Sequence, residues 1–361
     1  MSQIRVLIAG GGTGGHIIPA LAVARELEER HGAEVLFVGT PRGLESRLVP
    51  NAGFKLELIK VGQLNRVSLQ TQIRTLFDLP LAAVSCFRLL WKFRPGVVLS
   101  VGGYASGPAA AAALLNGTPV MALEPNAMPG LANRLIGRHV KAAAVNFPAA
   151  GRYLRNAEVT GIPVRPEFFS LPAPPPMPPR LLIFGGSQGA RLFNNTMPKI
   201  VAELFQAVPG LSVLHQSGPR FLAETEAMYR ASGADPLFWS VKPFLDDMAS
   251  RFAWANIVLA RSGASTVAEL AAAGKPSLLV PFAAAADDHQ KRNAEEMVRA
   301  GAAAMLEETD LAEPKKLLEV LTGLLRDPER LAAMSAAART QAHPDAAQRI
   351  AAKLVQLAKR P

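Results

Sequence analysis

The sequence predicts an α/β protein with two doubly wound parallel-sheet domains of the Rossmann-like kind. A glycine-rich turn occurs twice, as GGGTGGH at residues 10–16 and as GGSQGA at residues 185–190. Each turn follows a short apolar run and precedes an amphipathic segment, which is the pattern of a strand, a tight turn and a helix. We therefore expect two similar domains that face each other across a cleft.

The first half of the chain alternates short apolar runs with longer amphipathic ones, which predicts a parallel sheet covered by helices. Strands are expected near residues 4–9, 34–38, 56–60, 97–101, 119–123 and 142–145. Helices are expected near residues 16–30, 43–51, 67–93 with a break at Pro80, 107–115 and 130–136.

The second half repeats this plan. Strands are expected near residues 180–184, 211–216, 237–240, 256–259, 277–280 and 303–306. Helices are expected near residues 190–207, 219–231, 244–251, 265–273, 289–300, 312–326 and 328–339.

A proline-rich stretch at residues 163–179 marks the domain boundary, because such a segment is stiff and extended. The expected domains are residues 1–163 and residues 164–342. The last segment, residues 343–361, has the spacing of an amphipathic helix, and we expect it to pack back on the first domain.

Composition and charge restrict the class of protein. With 361 residues, 49% of them hydrophobic, the chain can form two cores. The net charge of +10 is compatible with solvated basic surfaces or with anionic partners such as nucleotide phosphates or an anionic membrane. Nucleic acid is not expected, because no nucleic-acid-binding module is recognisable.

Targeting and redox signals are few. The single cysteine, Cys86, permits no internal disulfide and fits a reducing compartment. The start of the chain does not resemble a signal peptide. The longest apolar stretch, residues 108–123, is interrupted by an Asn-Gly-Thr-Pro turn, so no membrane span is expected.

The first glycine turn formally matches a dinucleotide-binding fingerprint, yet NAD or FAD is not expected. That fingerprint needs an acidic residue at the end of the second strand to bind the ribose. Here the second strand runs into Gly39, Thr40 and Pro41.

One strand-to-helix loop, residues 261–270, has the features of a nucleotide site. Ser265 or Thr266 could cap the helix, whose backbone N–H groups attract a diphosphate. Glu269 lies one turn further, where its carboxylate could bind a ribose diol. The alternative interpretation is an ordinary capping box.

A second polar cluster follows the next strand, within residues 281–294. Gln290 and Asn293 are three residues apart, on one face of a helix, and suit sugar hydroxyls. The alternative is a solvated helix start.

The first domain carries the candidate catalytic groups. His16 begins a helix, where a cation is disfavoured, so its imidazole would stay neutral as a general base requires. The alternative is that His16 caps its own loop. A glycine-rich loop at residues 102–108 and the Glu124-Pro125-Asn126 segment lie at the same sheet edge.

A metal-bound diphosphate is not expected, because the sequence contains no Asp-x-Asp. Helix N-termini, with Arg165 or Arg261, would then neutralise the leaving-group charge.

Five motifs resemble those of the bacterial MurG family, in the same order and over essentially the whole chain. They are GGTGGH at 11–16, GGYASGP at 102–108, GGSQGA at 185–190, SGASTVAE at 262–269, and HQ at 289–290 with NA at 293–294. The resemblance implies a GT-B fold. It also implies inverting, metal-independent transfer of N-acetylglucosamine (GlcNAc) from UDP-GlcNAc to the 4-hydroxyl of the muramyl sugar of lipid I.

The resemblance also implies residue roles. Arg165 and Ser187 would bind donor phosphates, and Leu245 would read uracil through its backbone. Glu269 would hold the ribose, and Gln290 the GlcNAc hydroxyls. His16 is similar to the family's base, with Glu124 as the rival. The other implied donor-side residues are Thr13, Gly14, Gly15, Asn126, Ala264, Ser265, Thr266, Val267 and Ala268, and the implied acceptor residues are Tyr104 and Asn133.

The lipid acceptor implies a peripheral protein on the cytoplasmic face of the cell membrane, in contact with cell-wall or division proteins. Residues 64–94 interleave apolar and basic side chains and are the expected contact with an anionic membrane. Two enzyme alternatives stay open, a related transferase that acts on another lipid and a UDP-GlcNAc 2-epimerase. A non-enzymatic nucleotide-sugar sensor is the third.

Overall fold

The computed structural model describes residues 3–61, 69–174 and 177–359, with residues 69–80 as backbone only. The chain divides into two compact units. Residues 1–163 and 343–361 form the first domain, and residues 164–342 form the second.

The first domain is built on a parallel sheet with the strand order β3-β2-β1-β4-β5-β6-β7 among the described residues. The order reverses beside β1, which is the doubly wound arrangement expected from the sequence. Its strands are β1 (Arg5–Ala9), β2 (Glu34–Gly39), β3 (Lys55–Leu58), β4 (Val97–Ser100), β5 (Val120–Glu124), β6 (Ala142–Val145) and β7 (Ala157–Val159).

Helices cover both faces of this sheet, as parallel strands require. They are α1 (Gly14–His31), α2 (Glu45–Asn51), α3 (Leu69–Phe93), α4 (Ser106–Leu115), α5 (Leu131–Ile136) and, from the end of the chain, α13 (Ala346–Ala358). The apolar face of α13 packs on α1, β1 and β4. None of the helices in the described chain has both the length and the apolarity to cross a bilayer.

The second domain repeats the plan with the strand order β10-β9-β8-β11-β12-β13. Its strands are β8 (Arg180–Phe184), β9 (Ser212–Gln216), β10 (Trp239–Lys242), β11 (Ile257–Ala260), β12 (Ser277–Leu279) and β13 (Ala303–Met305). Its helices are α6 (Arg191–Ala207), α7 (Leu222–Ala231), α8 (Met248–Trp254), α9 (Ala264–Ala273), α10 (His289–Arg299), α11 (Pro314–Leu325) and α12 (Pro328–Thr340).

Several details differ from the sequence-based expectations. Helix α3 continues through Pro80 without a break. The edge strand β7 was not predicted, because its three residues, Ala-Glu-Val, form no apolar run. The proline-rich segment is not extended throughout, because Pro166–Ser170 forms a 3-10 helix. Residues 244–247 precede α8 as a loop, since Asp247 is the N-cap residue of that helix.

The strand order places the candidate site residues at defined sheet edges. In each domain the order reverses between two central strands, β1 and β4 in the first and β8 and β11 in the second. Ligands of such sheets bind beyond the carboxyl ends of the strands at this point. The glycine-rich turns and the loop at residues 261–263 all begin there.

Candidate active site

The turns after β1 and β4 pack backbone against backbone in the first domain. The N–H of Gly11 donates to the carbonyl of Gly102 at 3.2 Å. Gly103 has a φ of +82°, and a Cβ added there would lie 2.2 Å from the carbonyl oxygen of Gly11. Any side chain at Gly103 would therefore separate the two turns.

His16 lies at this contact, in the first turn of α1 behind Gly14 and Gly15. Its Nδ1 is 3.1 Å from Thr13 Oγ1. A Cβ added to Gly102 would lie 3.2 Å from His16 Nε2. When Nδ1 carries the proton and donates to Thr13, Nε2 is the unprotonated nitrogen that a general base needs. The contact between His16 and Thr13 agrees with the alternative interpretation, in which His16 caps its own loop. It is also compatible with a general base at Nε2.

Glu124 is 1% exposed and holds the loop that follows β5. Its Oε1 accepts from the backbone N–H and the side-chain amide of Asn126, at 3.0 and 3.2 Å. Its Oε2 accepts from the N–H of Gly130 at 3.2 Å and from the amide of Asn133 at 3.0 Å. Burial raises the pKa of Glu124, and these hydrogen bonds oppose the rise.

Asn133 has no exposed surface, and its Oδ1 accepts from Ser100 Oγ at 2.8 Å. The hydrogen bonds of Asn133 and Glu124 hold this loop. The assignments of Asn133 to the acceptor and of Glu124 as the rival base stay predictions. Tyr104, by contrast, follows the Gly102–Gly103 turn with 39% of its surface exposed.

Sequence reasoning missed Glu45, a buried carboxylate at the start of α2. It accepts from the N–H of Gly12 at 2.7 Å, and from the N–H and hydroxyl of Thr40 at 2.8 and 2.9 Å. A carboxylate therefore does lie beside the end of β2, but it holds the glycine turn and is 1% exposed. The only sequence signal was an acidic residue at a helix start, which is common.

In the second domain, α9 begins without a side-chain cap. Its N-cap residue is Gly263, and neither Ser265 nor Thr266 makes the capping bond expected of it. The Oγ of Ser265 is buried and lacks a hydrogen-bond partner within the described chain. Among the described residues no side chain caps the N–H groups at the start of α9, which suits an anionic ligand.

Glu269 and Arg165 lie together beside this helix start. A guanidinium nitrogen of Arg165 is 3.7 Å from the Glu269 carboxylate. Burial raises the pKa of Glu269 to about 7, and Arg165 opposes the rise. A carboxylate and a cation beside an uncapped helix form a suitable pair for a ribose diol and a phosphate.

The proline-rich segment brings Arg165 to this position. In its 3-10 helix Phe168 is fully buried and meets the ring of Phe252 edge-on at 5.3 Å. Arg165 lies over the ring of Phe168, 4.8 Å from its centroid, and pairs with Glu167.

The loop before α8 carries the predicted uracil reader, Leu245, which is 5% exposed. In the same loop, hydrogen bonds from Ser250 lower the pKa of Asp247, and the charges of Arg251 and Arg165 add to this effect. A groove of about 440 Å³ opens beside Leu245, with Phe244 and Trp254 in its lining. Leu245 and Arg165 therefore belong to one region of the domain.

Gln290 and Asn293 differ in their surroundings. Asn293 has no exposed surface, and its amide donates to the carbonyl of Ser262 at 3.1 Å, so it holds a loop. Gln290 is half-buried, and its Oε1 accepts from the N–H of Phe282 at 3.0 Å. Ser262 Oγ donates to the backbone carbonyl of Gln290 at 2.8 Å, which joins α10 to the start of α9.

Arg261, the other candidate for neutralising the leaving group, is already engaged. It forms an ion pair with Glu308 and donates to the carbonyls of Val280 and Pro281, both at 3.1 Å. Burial lowers its pKa, and Glu308 opposes the change. Arg165, with 47% of its side chain exposed, is the arginine that a ligand can reach.

Ser187 lies in the exposed part of the turn after β8. This turn is fixed by close packing, because a Cβ added to Gly189 would lie 1.9 Å from the carbonyl oxygen of Ser217. No group of three or more His, Cys, Asp or Glu side chains in the described residues is placed to hold a metal ion.

Comparison with known proteins identifies the family. Residues 6–145 match the glycosyltransferase family 28 N-terminal domain, and residues 180–350 match the glycosyltransferase family 28 C-terminal domain. The UDP-N-acetylglucosamine--N-acetylmuramyl-(pentapeptide) pyrophosphoryl-undecaprenol N-acetylglucosamine transferase of Solibacter usitatus (strain Ellin6076) is 44% identical over 362 residues. The match covers 98% of this chain and 96% of that protein.

Solved structures agree with this result. The crystal structure of Acinetobacter baumannii MurG superposes with a TM-score of 0.82 at 30% identity, covering 98% of this chain and 99% of that one. CalG4, the calicheamicin glycosyltransferase, has a TM-score of 0.69 at 19% identity, covers 100% of this chain and 99% of its own, and shows the fold alone. The expected GT-B fold class is confirmed, and the protein is a glycosyltransferase. At this identity and coverage, the chain belongs to the MurG family.

Proposed function

We propose that this glycosyltransferase moves GlcNAc from UDP-GlcNAc to the 4-hydroxyl of the muramyl sugar of lipid I, undecaprenyl-pyrophosphoryl-MurNAc-pentapeptide. The product is lipid II, the precursor of peptidoglycan, so the enzyme would serve cell-wall growth, cell shape and division. One observation carries the donor side of the proposal: Arg165 and Glu269 lie 3.7 Å apart beside an uncapped helix start. The name of the Solibacter relative supports the choice of donor and acceptor.

The second domain would bind the donor. The carboxylate of Glu269 accepts from the ribose hydroxyls, and the backbone of Leu245 pairs with the uracil. Arg165, Ser187 and the N–H groups at residues 264–268 bind the diphosphate, since a helix N-terminus carries positive partial charge. Gln290 binds the GlcNAc.

The first domain would supply the base. His16 Nε2 accepts the proton of the acceptor hydroxyl as that oxygen attacks the anomeric carbon of GlcNAc. The new C–O bond forms on the face opposite the bond to UDP, which breaks, so the configuration inverts. UDP leaves with the electron pair, and the charge on its phosphate is stabilised by Arg165 and the start of α9. Glu124 and Asn133 keep the neighbouring loop in place.

We propose that no metal ion takes part, because Arg165 and the helix start neutralise the same charge that a divalent ion would. This assignment rests on the charge and geometry of the donor side.

We also propose peripheral binding to the cytoplasmic face of the membrane through α3 and its neighbours. Part of the predicted segment, residues 64–68, lies outside the described residues. The described end of α3 exposes Leu81, Phe87 and Trp91 together with Arg88 and Lys92. Apolar side chains among basic ones suit an anionic lipid surface. Cell-wall or division proteins would be partners at this location.

The test is to incubate the purified protein with UDP-GlcNAc and a lipid I analogue. Equal amounts of UDP and of a GlcNAc-MurNAc disaccharide are expected. A 2-epimerase would convert UDP-GlcNAc to UDP-N-acetylmannosamine and make no disaccharide. A transferase for another lipid, given diacylglycerol in a parallel incubation, would make product from it but not from the lipid I analogue. Either result would overturn the proposal.

A further inference from the structure

Arg261 joins three strand-to-helix connections of the second-domain sheet to helix α6. It follows β11, donates to the Val280 and Pro281 carbonyls after β12, and pairs with Glu308 after β13. Its guanidinium carbon also lies over the rings of Phe193, in the helix after β8, and of Phe282. The centroid distances are 5.1 and 5.4 Å. A planar, multidentate guanidinium suits these contacts, and an ammonium group would not reproduce them.

Phe282 links this guanidinium to Gln290. The ring of Phe282 lies on Arg261, while its backbone N–H donates to Gln290 Oε1 at 3.0 Å. An amide oxygen is the atom that must face an N–H donor, so this bond fixes which way the Gln290 amide points. Its Nε2, unpaired within the described part of the chain, is then the end offered to a ligand.

The backbone of Gln290 is held independently by the residue after Arg261. Ser262 Oγ donates to the carbonyl of Gln290 at 2.8 Å, and the Asn293 amide donates to the carbonyl of Ser262 at 3.1 Å. The position of Gln290 therefore depends on Ser262, while the direction of its amide depends on Phe282 and on the guanidinium beneath the Phe282 ring.

We propose that Arg261 is a positioning residue for recognition of the donor sugar, because it holds Phe282 so that Gln290 presents the N–H donors of its Nε2 to a ligand. A ligand group facing Nε2 is then an acceptor, such as a hydroxyl oxygen or the carbonyl of an N-acetyl group. The inference rests on the proposed function, in which Gln290 binds the GlcNAc of the donor.

The test separates the sugar from the nucleotide. UDP-GlcNAc and UDP are each titrated calorimetrically into the full-length protein, its Arg261→Lys and Gln290→Ala variants, and the double variant. Arg261→Lys should weaken UDP-GlcNAc binding about tenfold, the loss of roughly one hydrogen bond, and change UDP binding less than about twofold. The double variant should bind UDP-GlcNAc no more weakly than Gln290→Ala, because both changes remove one contact.

Two further variants keep the test decisive. Phe282→Ala removes a ring that is 45% exposed, so it should fold even where Arg261→Lys does not, and it should show the same selective loss. Arg299→Lys makes the same change on the surface of α10 and should alter neither affinity.

The possible failures are distinguishable. If Gln290→Ala weakens UDP-GlcNAc and UDP equally, or neither, the assignment of Gln290 to the sugar is wrong and the inference falls with it. If Gln290→Ala is selective but the Arg261→Lys and Phe282→Ala proteins lose both ligands equally, or additively with Gln290→Ala, Arg261 has only a general structural role and the inference is overturned.

Discussion

The guanidinium of Arg165 lies 3.7 Å from the carboxylate of Glu269. The contact joins the segment that enters the second domain to the second turn of α9. Arg165 is the more exposed partner, at 47% against 24% of the side chain. Phosphate binding by Arg165 would draw it towards the ligand, while Glu269, on a rigid helix, would stay in place for the ribose.

Glu269 gives the first prediction. Its pKa is about 7, chiefly because it is buried, and ribose binding needs the ionised form as the stronger acceptor. UDP affinity should therefore fall up to about tenfold as the pH drops from 8 to 6. The Glu269→Gln protein should bind UDP about ten- to hundredfold more weakly at pH 8, for a lost charged hydrogen-bond pair.

Calorimetry of both proteins at several pH values checks this, and the Gln variant also corrects for titration of UDP itself. The same change of UDP affinity with pH in the two proteins would show that Glu269 does not bind the ribose.

The stability of the ligand-free protein depends on pH in the opposite direction. The folded state holds a proton that the unfolded state, with a pKa near 4.5, has lost, so this group's contribution to stability falls as the pH rises from 4.5 to 7.

The two glycine turns could be predicted from the sequence, because a glycine run after an apolar strand determines the local backbone within a few residues. The Arg165–Glu269 contact could not, since it depends on how a proline-rich segment folds. The burial of Phe168 fixes that segment, and a pair of phenylalanines among prolines gives no such signal. Glu45 was missed for the same reason. Two of its three hydrogen bonds come from Thr40 in the loop that precedes α2 and one from Gly12 in the turn after β1, and only the tertiary structure brings these loops together.

His16 gives the second prediction. His16→Ala should lower kcat about 10²- to 10⁴-fold and leave UDP-GlcNAc affinity within about threefold, since it removes the base and not the donor site. Thr13→Val should lower kcat less, because it removes the hydroxyl that favours a proton on Nδ1. Single-turnover rates with the lipid I analogue, alongside donor titrations, are the measurement. Normal turnover by His16→Ala would exclude it as the base.

Gly102 gives the third prediction, with a matched control. Gly102→Ala places a methyl group 3.2 Å from His16 Nε2 at a φ of +86°. The change should lower kcat at least tenfold and also lower the melting temperature, because the backbone is strained. Gly107 lies in the first turn of α4, directly after the same loop, and a Cβ added there meets no atom within 4 Å. Gly107→Ala should therefore leave kcat unchanged and leave the melting temperature unchanged or slightly raised. Equal activity of the two variants would contradict the placement of His16.

Metal dependence gives the fourth prediction. Activity in millimolar EDTA should stay within about twofold of the untreated enzyme, since Arg165 and the start of α9 carry the leaving-group charge. Arg165→Ala should lower kcat, and added magnesium should not restore it. Loss of activity on chelation, recovered with magnesium, would contradict this account.

The membrane surface gives the last prediction. Trp91 is 77% exposed and Leu81 69% exposed on α3, while Leu115, 79% exposed, ends the helix α4 against which α3 packs. Their neighbours Arg88 and Lys92 are exposed cations, each worth about 1 kcal/mol near an anionic surface. Binding to vesicles should therefore rise with anionic lipid content and weaken with salt.

Cosedimentation with vesicles of neutral and of anionic lipid measures this binding. Trp91→Ala should weaken it on both, because the indole would enter the interface, whereas the Arg88→Glu/Lys92→Glu protein should lose only the part that anionic lipid adds. Leu237→Ala, at an 88% exposed apolar site in the second domain, and Arg230→Glu on α7 are the matched controls and should bind like the parent. Equal loss in the controls, or none in the α3 variants, would move the docking surface elsewhere. In detergent, the α3 variants should turn over a soluble lipid I analogue at the parent rate, because their side chains act on the bilayer and not on the sugar.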